Sequence, residues 1–356
     1  MATKAVTVGV DGSEESLRAV EWAALEARRH GSPLRIVSAP AELPRMHACH
    51  ASPAEIGAAL RGISARALDA AIIRSQEVAP GLPIETGLPS GPSAVAVADS
   101  GSGASMLVVG ARGAGGFAAM MLGSVSRHAA AWAPCPVVVV REETTAVHRE
   151  IAVGIRDPED VTGALAFAFE EAALRGADLV AVHTWYWLPA ASQASGPAGS
   201  LRPPDPGQIS AETGGQLAAA LEQWHGKYPE VPVRQDVVRG HPARVLASYS
   251  ARADLVVIGR HGHPAGPGPG IGSIQHAVLD HAHGPVAVVS SGDCTGKPEM
   301  TLCSATRGCL LIASSAFIWA ARSASEAPRN TCTGVMSWGS CHFRHSEADQ
   351  LLPFPN

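Results

Sequence analysis

Charge is scarce in this chain. Only 17% of its 356 residues are Asp, Glu, Lys or Arg, and the formal net charge is -5. No basic stripe is available to neutralise a phosphate backbone, so a nucleic-acid partner is not expected. Cysteine is almost absent from most of the chain. Cys49 and Cys135 are the only two in the first 293 residues, while Cys294, Cys303, Cys309, Cys332 and Cys341 crowd the end. There is no C-x-x-C pair and the total of seven is odd, which argues against both a disulfide framework and a common zinc site. The opening MATKAVTVGVDGS lacks a charged start, a long apolar run and a cleavage site, so the cytoplasm is the expected location. The apolar stretch GCLLIASSAFIWAA at 308–321 has 14 residues, too few for a membrane span. The lysine-bearing loop G-x4-G-K-[ST] is missing, and no G-x-G-x-x-G follows the first strand. No Ser–His–acid set or paired-carboxylate site stands out, so a hydrolytic centre would have only Asp11 and a metal to draw on.

What the chain does contain is a repeat. Gly110, Gly113, Gly123 and Ser124 follow the spacing G-x2-G-x9-G-S, and Gly259, Gly262, Gly272 and Ser273 repeat it 149 residues later. Each copy follows an apolar run, Met106 to Val109 and then Leu255 to Ile258. A strand that ends in a glycine loop and leads to a helix start is a place to hold phosphate. The repetition implies a duplicated α/β unit.

The surrounding pattern supports two such units, 1–143 and 149–291. In the first, strands are expected at 5–10, 34–39, 82–86, 106–109 and 136–140, with helices at 13–30, 54–77, 92–99 and 124–132 between them. The second helix is expected to weaken at Gly62. Ser13 is the expected cap of the first helix, with Glu14 and Glu15 favourable in its first turn. The second unit replays the order, with a helix expected from Gly214 to Lys227 after a Pro- and Gly-rich insertion at 185–209. Alternating apolar strands and helices imply a mostly parallel five-stranded sheet in each unit, covered on both faces. Beyond 292 the alternation ends. That tail is expected to be poorly ordered, with one helix at 309–321 if it finds a surface to cover.

Gly110 and Gly113 let the backbone approach a ligand closely. The N–H groups around Gly113 and after Gly123 can converge on phosphate oxygens, and Ser124 adds a hydroxyl where it is expected to cap the helix. Arg112 lies between two glycines, placed for phosphate, ribose or solvent. Asp11 ends the first strand at the same sheet edge. Its carboxylate can accept from a ribose or an adenine amino group, hold Mg2+ through water, or simply cap the helix. Trp132 and Trp185 read as packing residues. His261, His263, His276, His281 and His283 read as solvent-facing rather than as a metal set.

These segments resemble the universal stress proteins in their tandem two-domain form. VGVDGSEES at 8–16 and LVVGARGAGGFAAMMLGSVSRHAAAWAPCPVVVV at 107–140 carry the likeness. The resemblance implies two Rossmann-like (adenine nucleotide alpha hydrolase-like) domains and ATP as the ligand, with or without Mg2+. It places Asp11, Ala39 and Gly110 near adenosine and Arg112, Gly113, Gly123, Ser124 and Val125 around ribose and phosphates. It implies a regulatory stress-response role without strong catalysis, pairing of the two domains along their terminal strands, and room for homo-oligomers. A nucleotide-free assembly module and a slow Mg2+-dependent ATPase are the alternatives. The second unit departs from the pattern. Arg156 stands where the first has Asp11, Asp157 comes one place late, and Pro264, Pro267 and Pro269 interrupt the loop. Each proline removes a backbone donor. Nucleotide at Gly259, Gly262, Gly272 and Ser273 is therefore expected to bind weakly or not at all.

Overall fold

The computed structural model describes residues 3–40, 52–113, 122–141, 147–156, 162–185, 205–260 and 270–290. Cys49, Asp157, the insertion at 186–204, the loop residues 261–269 and everything from 291 lie outside them. The expectations for Gly262, the three loop prolines, His261, His263 and the tail therefore fall beyond the described residues.

The first half runs β1 (Val6–Gly9), α1 (Glu14–Arg29), β2 (Leu34–Val37), α2 (Pro53–Val78), β3 (Ile84–Gly87), α3 (Ser93–Asp99), β4 (Met106–Gly110), α4 (Ser124–Trp132) and β5 (Val137–Val140). The second half repeats the order as β6 (Glu150–Ile155), α5 (Thr162–Arg175), β7 (Asp178–Trp185), α6 (Pro206–Lys227), β8 (Val233–Arg239), α7 (Pro242–Tyr249), β9 (Leu255–Arg260), α8 (Ser273–His281) and β10 (Val286–Ser290). Each half is thus a Rossmann-like α/β unit of five parallel strands. Both halves join in one sheet ordered β3-β2-β1-β4-β5-β10-β9-β6-β7-β8.

The join is antiparallel. Val137, Val138 and Val139 pair with Val288, Ala287 and Val286. β5 is four valines, all buried, and such an edge would invite aggregation if left open. Pairing it with β10 closes both edges at once. The seam is braced by reciprocal cations. Arg141 Nε donates to Leu279 O at 2.9 Å, and Arg260 donates to Ala133 O at 2.7 Å. Each arginine crosses from one half to the carboxyl end of a helix in the other.

The inner strands β1, β4 and β5 are buried on both faces, as their near-continuous apolar runs require, while the edge strands β3 and β8 are partly exposed. One core lies on each face and extends through both halves. α1, α2, α5 and α6 cover the first, and α3, α4, α7 and α8 cover the second. α1 packs on its small side chains Ala19, Ala23, Ala24 and Ala27. Its Ser13 cap accepts from Ser16 N at 3.2 Å, as expected from the sequence.

Two helix boundaries differ from expectation. α2 passes through Gly62 without a break, because burial of Ala67, Leu68 and Ala71 outweighs the roughly 1 kcal/mol that one helical glycine costs. α6 starts at Pro206 rather than Gly214. Asp205 caps it by accepting from Gly207 N at 3.0 Å, and proline suits the first helical turn. The Pro-Gly pair that reads as loop is a helix start.

On the first face α1 and α5 meet across the seam through four charged side chains. Glu26 and Glu171 are fully buried. Arg175 lies 2.7 Å from Glu26 and 3.2 Å from Glu171, and His30 lies 3.3 Å and 3.0 Å from the same two carboxylates. Trp22 stacks under the Arg175 guanidinium.

Candidate functional site

The strand order reverses between β1 and β4, whose carboxyl ends lie side by side with Gly9 paired to Val109. In open α/β sheets this crevice is where ligands sit. Asp11 follows β1 and is exposed. Gly12 turns the chain there at φ +85°, a conformation that favours glycine. One carboxylate oxygen of Asp11 is fixed, because Oδ1 accepts from Ser13 N at 3.0 Å and from Ser13 Oγ at 2.6 Å. The other faces the glycine loop, since a Cβ on Gly113 would run into Oδ2. The two residues are 102 apart in sequence, and the fold brings them into contact.

Gly110 serves a different purpose. A Cβ there would meet Glu15 O at 2.8 Å, so its absence lets the first turn of α1 lie directly on the end of β4. Gly123 N donates to Ala111 O at 2.8 Å and brings the chain back to this corner. Gly123, not Ser124, is the N-cap of α4, and no side-chain cap bond is made. Ser124 is the first helical residue and is exposed. The expected capping role of Ser124 is thereby corrected. The first-turn N–H groups remain without a side-chain acceptor at the cap.

Arg112 carries a buried Nε with no hydrogen-bond partner among the described residues. Val125 and Ala39 are half-buried and pack on the core below the crevice. One supporting residue escapes sequence reasoning. Ser126 is buried, and its Oγ donates to Gly110 O at 2.6 Å, tying α4 to the end of β4. Its only sequence signal is a serine two places past the repeat.

The second half keeps the frame and changes the chemistry. Gly154 packs on Leu246 as Gly9 packs on Val97. Gln275 Nε2 donates to Gly259 O at 3.0 Å, replacing Ser126 in kind and position. Gly272 caps α8 without a side-chain bond, and Ser273 follows it, exposed. Arg156 occupies the place of Asp11, and Thr184 that of Ala39. A cavity of about 80 Å³ opens at the carboxyl ends of β6, β7 and β9, lined in part by Arg156, Thr184, Gly259 and Gln275.

The histidines and tryptophans sit apart from these corners. His276 pairs with Asp280 along α8 at 3.3 Å, while His281 and His283 are exposed. Trp132 is half exposed and stacks on His128. Trp185 lies under the Arg239 guanidinium. The His–carboxylate group that forms among the described residues is Glu26, His30 and Glu171, at the seam.

The universal stress protein family model matches residues 2–141 and again 148–290. The chain belongs to that family. It is a tandem member of actinobacterial affinity. A universal stress protein of Mycolicibacterium smegmatis is 33% identical over 296 residues, covering 80% of this chain and 96% of the relative. A universal stress protein of Mycobacterium tuberculosis H37Rv is 32% identical over 299 residues, again covering 80% and 96%. Among solved structures, a universal stress protein from Archaeoglobus fulgidus aligns with a TM-score of 0.62 at 18% identity, covering 82% of this chain and all of that one. That last likeness speaks for the fold alone. Among the described residues no helix is long and apolar enough to cross a membrane.

Proposed function

We propose that this stress protein binds ATP in its first half, residues 1–143, and that nucleotide occupancy, not turnover, is its working signal in the cytoplasm. The observation that carries the reading is the seating of Gly113 against Oδ2 of Asp11. This gives the crevice two chemically distinct ends. The carboxylate end accepts from ribose hydroxyls or an adenine amino group and would repel phosphate. The other end presents backbone N–H groups at Gly113 and at the start of α4, which favour anions. Ala39, Gly110 and Val125 would border the adenosine. Arg112, Gly123 and Ser124 would meet the phosphates, and the orphaned Arg112 Nε is a donor suited to that task.

Mg2+ fits only as a companion of the phosphates. It binds readily through one carboxylate plus phosphate oxygens, and Asp11 is the carboxylate at this corner. The resident His–carboxylate group lies at the seam instead. Residues 149–291 act as the structural partner of the first half, with Gly259, Gly262, Gly272 and Ser273 binding ATP weakly or not at all. The tail, 292–356, takes no part in nucleotide binding.

Analysis of nucleotide released from the purified full chain tests the proposal. ATP in the wild-type chain and its loss in Asp11→Ala support it. Clean protein that also takes up no added ATP overturns it and favours an assembly module with empty sites.

A further inference from the structure

The two halves differ at the corner where their first two helices end. In the second half, Phe169 on α5 stacks on Trp224 of α6 and on Tyr228 just after it, with ring centroids 5.9 and 5.7 Å away. Lys227 lies over the Trp224 and Tyr228 rings. The repeat puts Ala24, Ser75 and Ala79 at those three places in the first half. Its register is fixed by Glu26 against Glu171 and by two P-x-x-P turns, Pro80 to Pro83 and Pro229 to Pro232. Ala79 and Tyr228 are helix C-caps of nearly the same backbone, φ -138°, ψ 72° and φ -128°, ψ 66°. Beside Ala79 the first half opens a pocket of about 340 Å³. It lies at the amino ends of β2 and β3, the opposite end of the sheet from Asp11 and Gly113. Pro33, Pro80 and Pro83 give it rigid apolar walls, and Arg28 is the one charged residue in its lining. Gln76 holds one turn by accepting from Gly81 N and donating to Leu82 O, both at 3.2 Å.

We propose that this pocket binds a small aromatic carboxylate, its ring on the proline walls and its carboxylate at Arg28 and Ser32. Among the described residues the Arg28 guanidinium makes one hydrogen bond, from Nη1 to Val78 O at 3.3 Å. A guanidinium has five N–H donors, and two in parallel match a carboxylate. Ser32 lines the pocket and is 3% exposed, and its Oγ has no hydrogen-bond partner among the described residues. That hydroxyl is a buried donor left to be satisfied. No acidic residue in the lining repels an anion. The ligand's ring supplies the aromatic surface that the second half carries in its own side chains, and its burial drives binding. At roughly 30 Å³ per water-sized group the pocket admits on the order of ten such groups, enough for a benzene ring with an acetate arm. The inference does not depend on ATP occupying the first half.

Saturation-transfer NMR on the full chain tests this, with phenylacetate as probe, phenylacetamide as its uncharged counterpart and cyclohexylacetate as its non-aromatic one. Phenylacetate is expected to bind. Phenylacetamide should bind at least about tenfold more weakly, the change that loss of one charged hydrogen bond produces. Cyclohexylacetate should bind about threefold more weakly or worse. Arg28→Met, at an exposed position, should cost phenylacetate about tenfold. Ser32→Ala copies Ala177 of the second half, should spare the fold, and should weaken binding severalfold. Asp11→Ala should leave phenylacetate binding unchanged. Absence of phenylacetate binding, equal binding of phenylacetamide or cyclohexylacetate, full affinity in Arg28→Met, or loss of binding in Asp11→Ala each overturns the proposal. An ATP titration of the same samples reports separately on the nucleotide corner.

Discussion

Glu26 and Arg175 meet at 2.7 Å across the seam, one from each half. They belong to a duplicated pair: Glu26 and Glu171 hold equivalent positions on α1 and α5, as do His30 and Arg175. Two buried carboxylates are thus matched by Arg175 and His30, with Arg29 a further partner of Glu26 at 2.7 Å. Removing a partner from such a group strands a buried charge. Arg175→Met should therefore destabilise the chain by about 3 kcal/mol in urea unfolding. A loss under 1 kcal/mol would mean that the carboxylates find other partners.

The same cluster sets a pH dependence. Hydrogen bonds to Glu171 and Glu26 push His30 up to about 10, against the effect of burial. Burial alone would raise Glu26, but the His30 hydrogen bond and the Arg175 charge outweigh it and hold the carboxyl at about 2. Burial pushes Glu171 up. A histidine whose folded value lies above its unfolded value stabilises fully below the unfolded value, ~6.5, and loses that contribution as pH rises through the folded one. Melting temperature should decline between pH 6.5 and 10, and His30→Gln should flatten that decline. An equal slope in the variant would remove His30 from the account.

Ser126 anchors the loop that carries the site. Ser126→Ala leaves the carbonyl of Gly110 without its 2.6 Å donor in a buried setting. The expected loss is about 1 to 2 kcal/mol of stability, with weaker ATP binding as the loop loosens. Denaturant titration and calorimetry on one sample check both effects. Unchanged stability would show that the bond is dispensable.

The continuous sheet predicts that the halves unfold together. Wild-type protein should show one cooperative transition, by fluorescence and circular dichroism alike. Val138→Asp places a charge at the fully buried centre of the seam. It should lower stability by more than about 3 kcal/mol and uncouple the halves into two transitions. A single transition at unchanged midpoint would contradict the seam's role.

The succession of strands and helices along the chain was legible in the sequence, because strands buried on both faces are written as apolar runs, and the pairing of the terminal strands was expected from the family resemblance. The glycines were legible through the repeat, and Asp11 through its place at the end of the first strand. Their functions were less so. Spacing alone does not show that Gly110 makes room for α1 while Gly113 makes room for the Asp11 carboxylate. Ser126 and Gln275 went unseen, since a serine and a glutamine share a task only once both are found donating to the same carbonyl position. The charge cluster was hidden for a similar reason. Glu26 and Arg175 lie 149 residues apart, and no local pattern announces their contact.

Titration calorimetry of the full chain with ATP tests the central claim most directly. One ATP per chain is expected for the wild type. Gly113→Val is the decisive variant, because its side chain meets the Asp11 carboxylate rather than backbone and should spare the fold. Its ATP binding should be lost, and Ser124→Ala should weaken binding by about 1 kcal/mol or more if its hydroxyl meets a charged phosphate. Arg156→Met should bind as the wild type does. Undiminished affinity in Gly113→Val, or tight binding that disappears with Arg156→Met instead, would contradict the assignment of ATP to the first half.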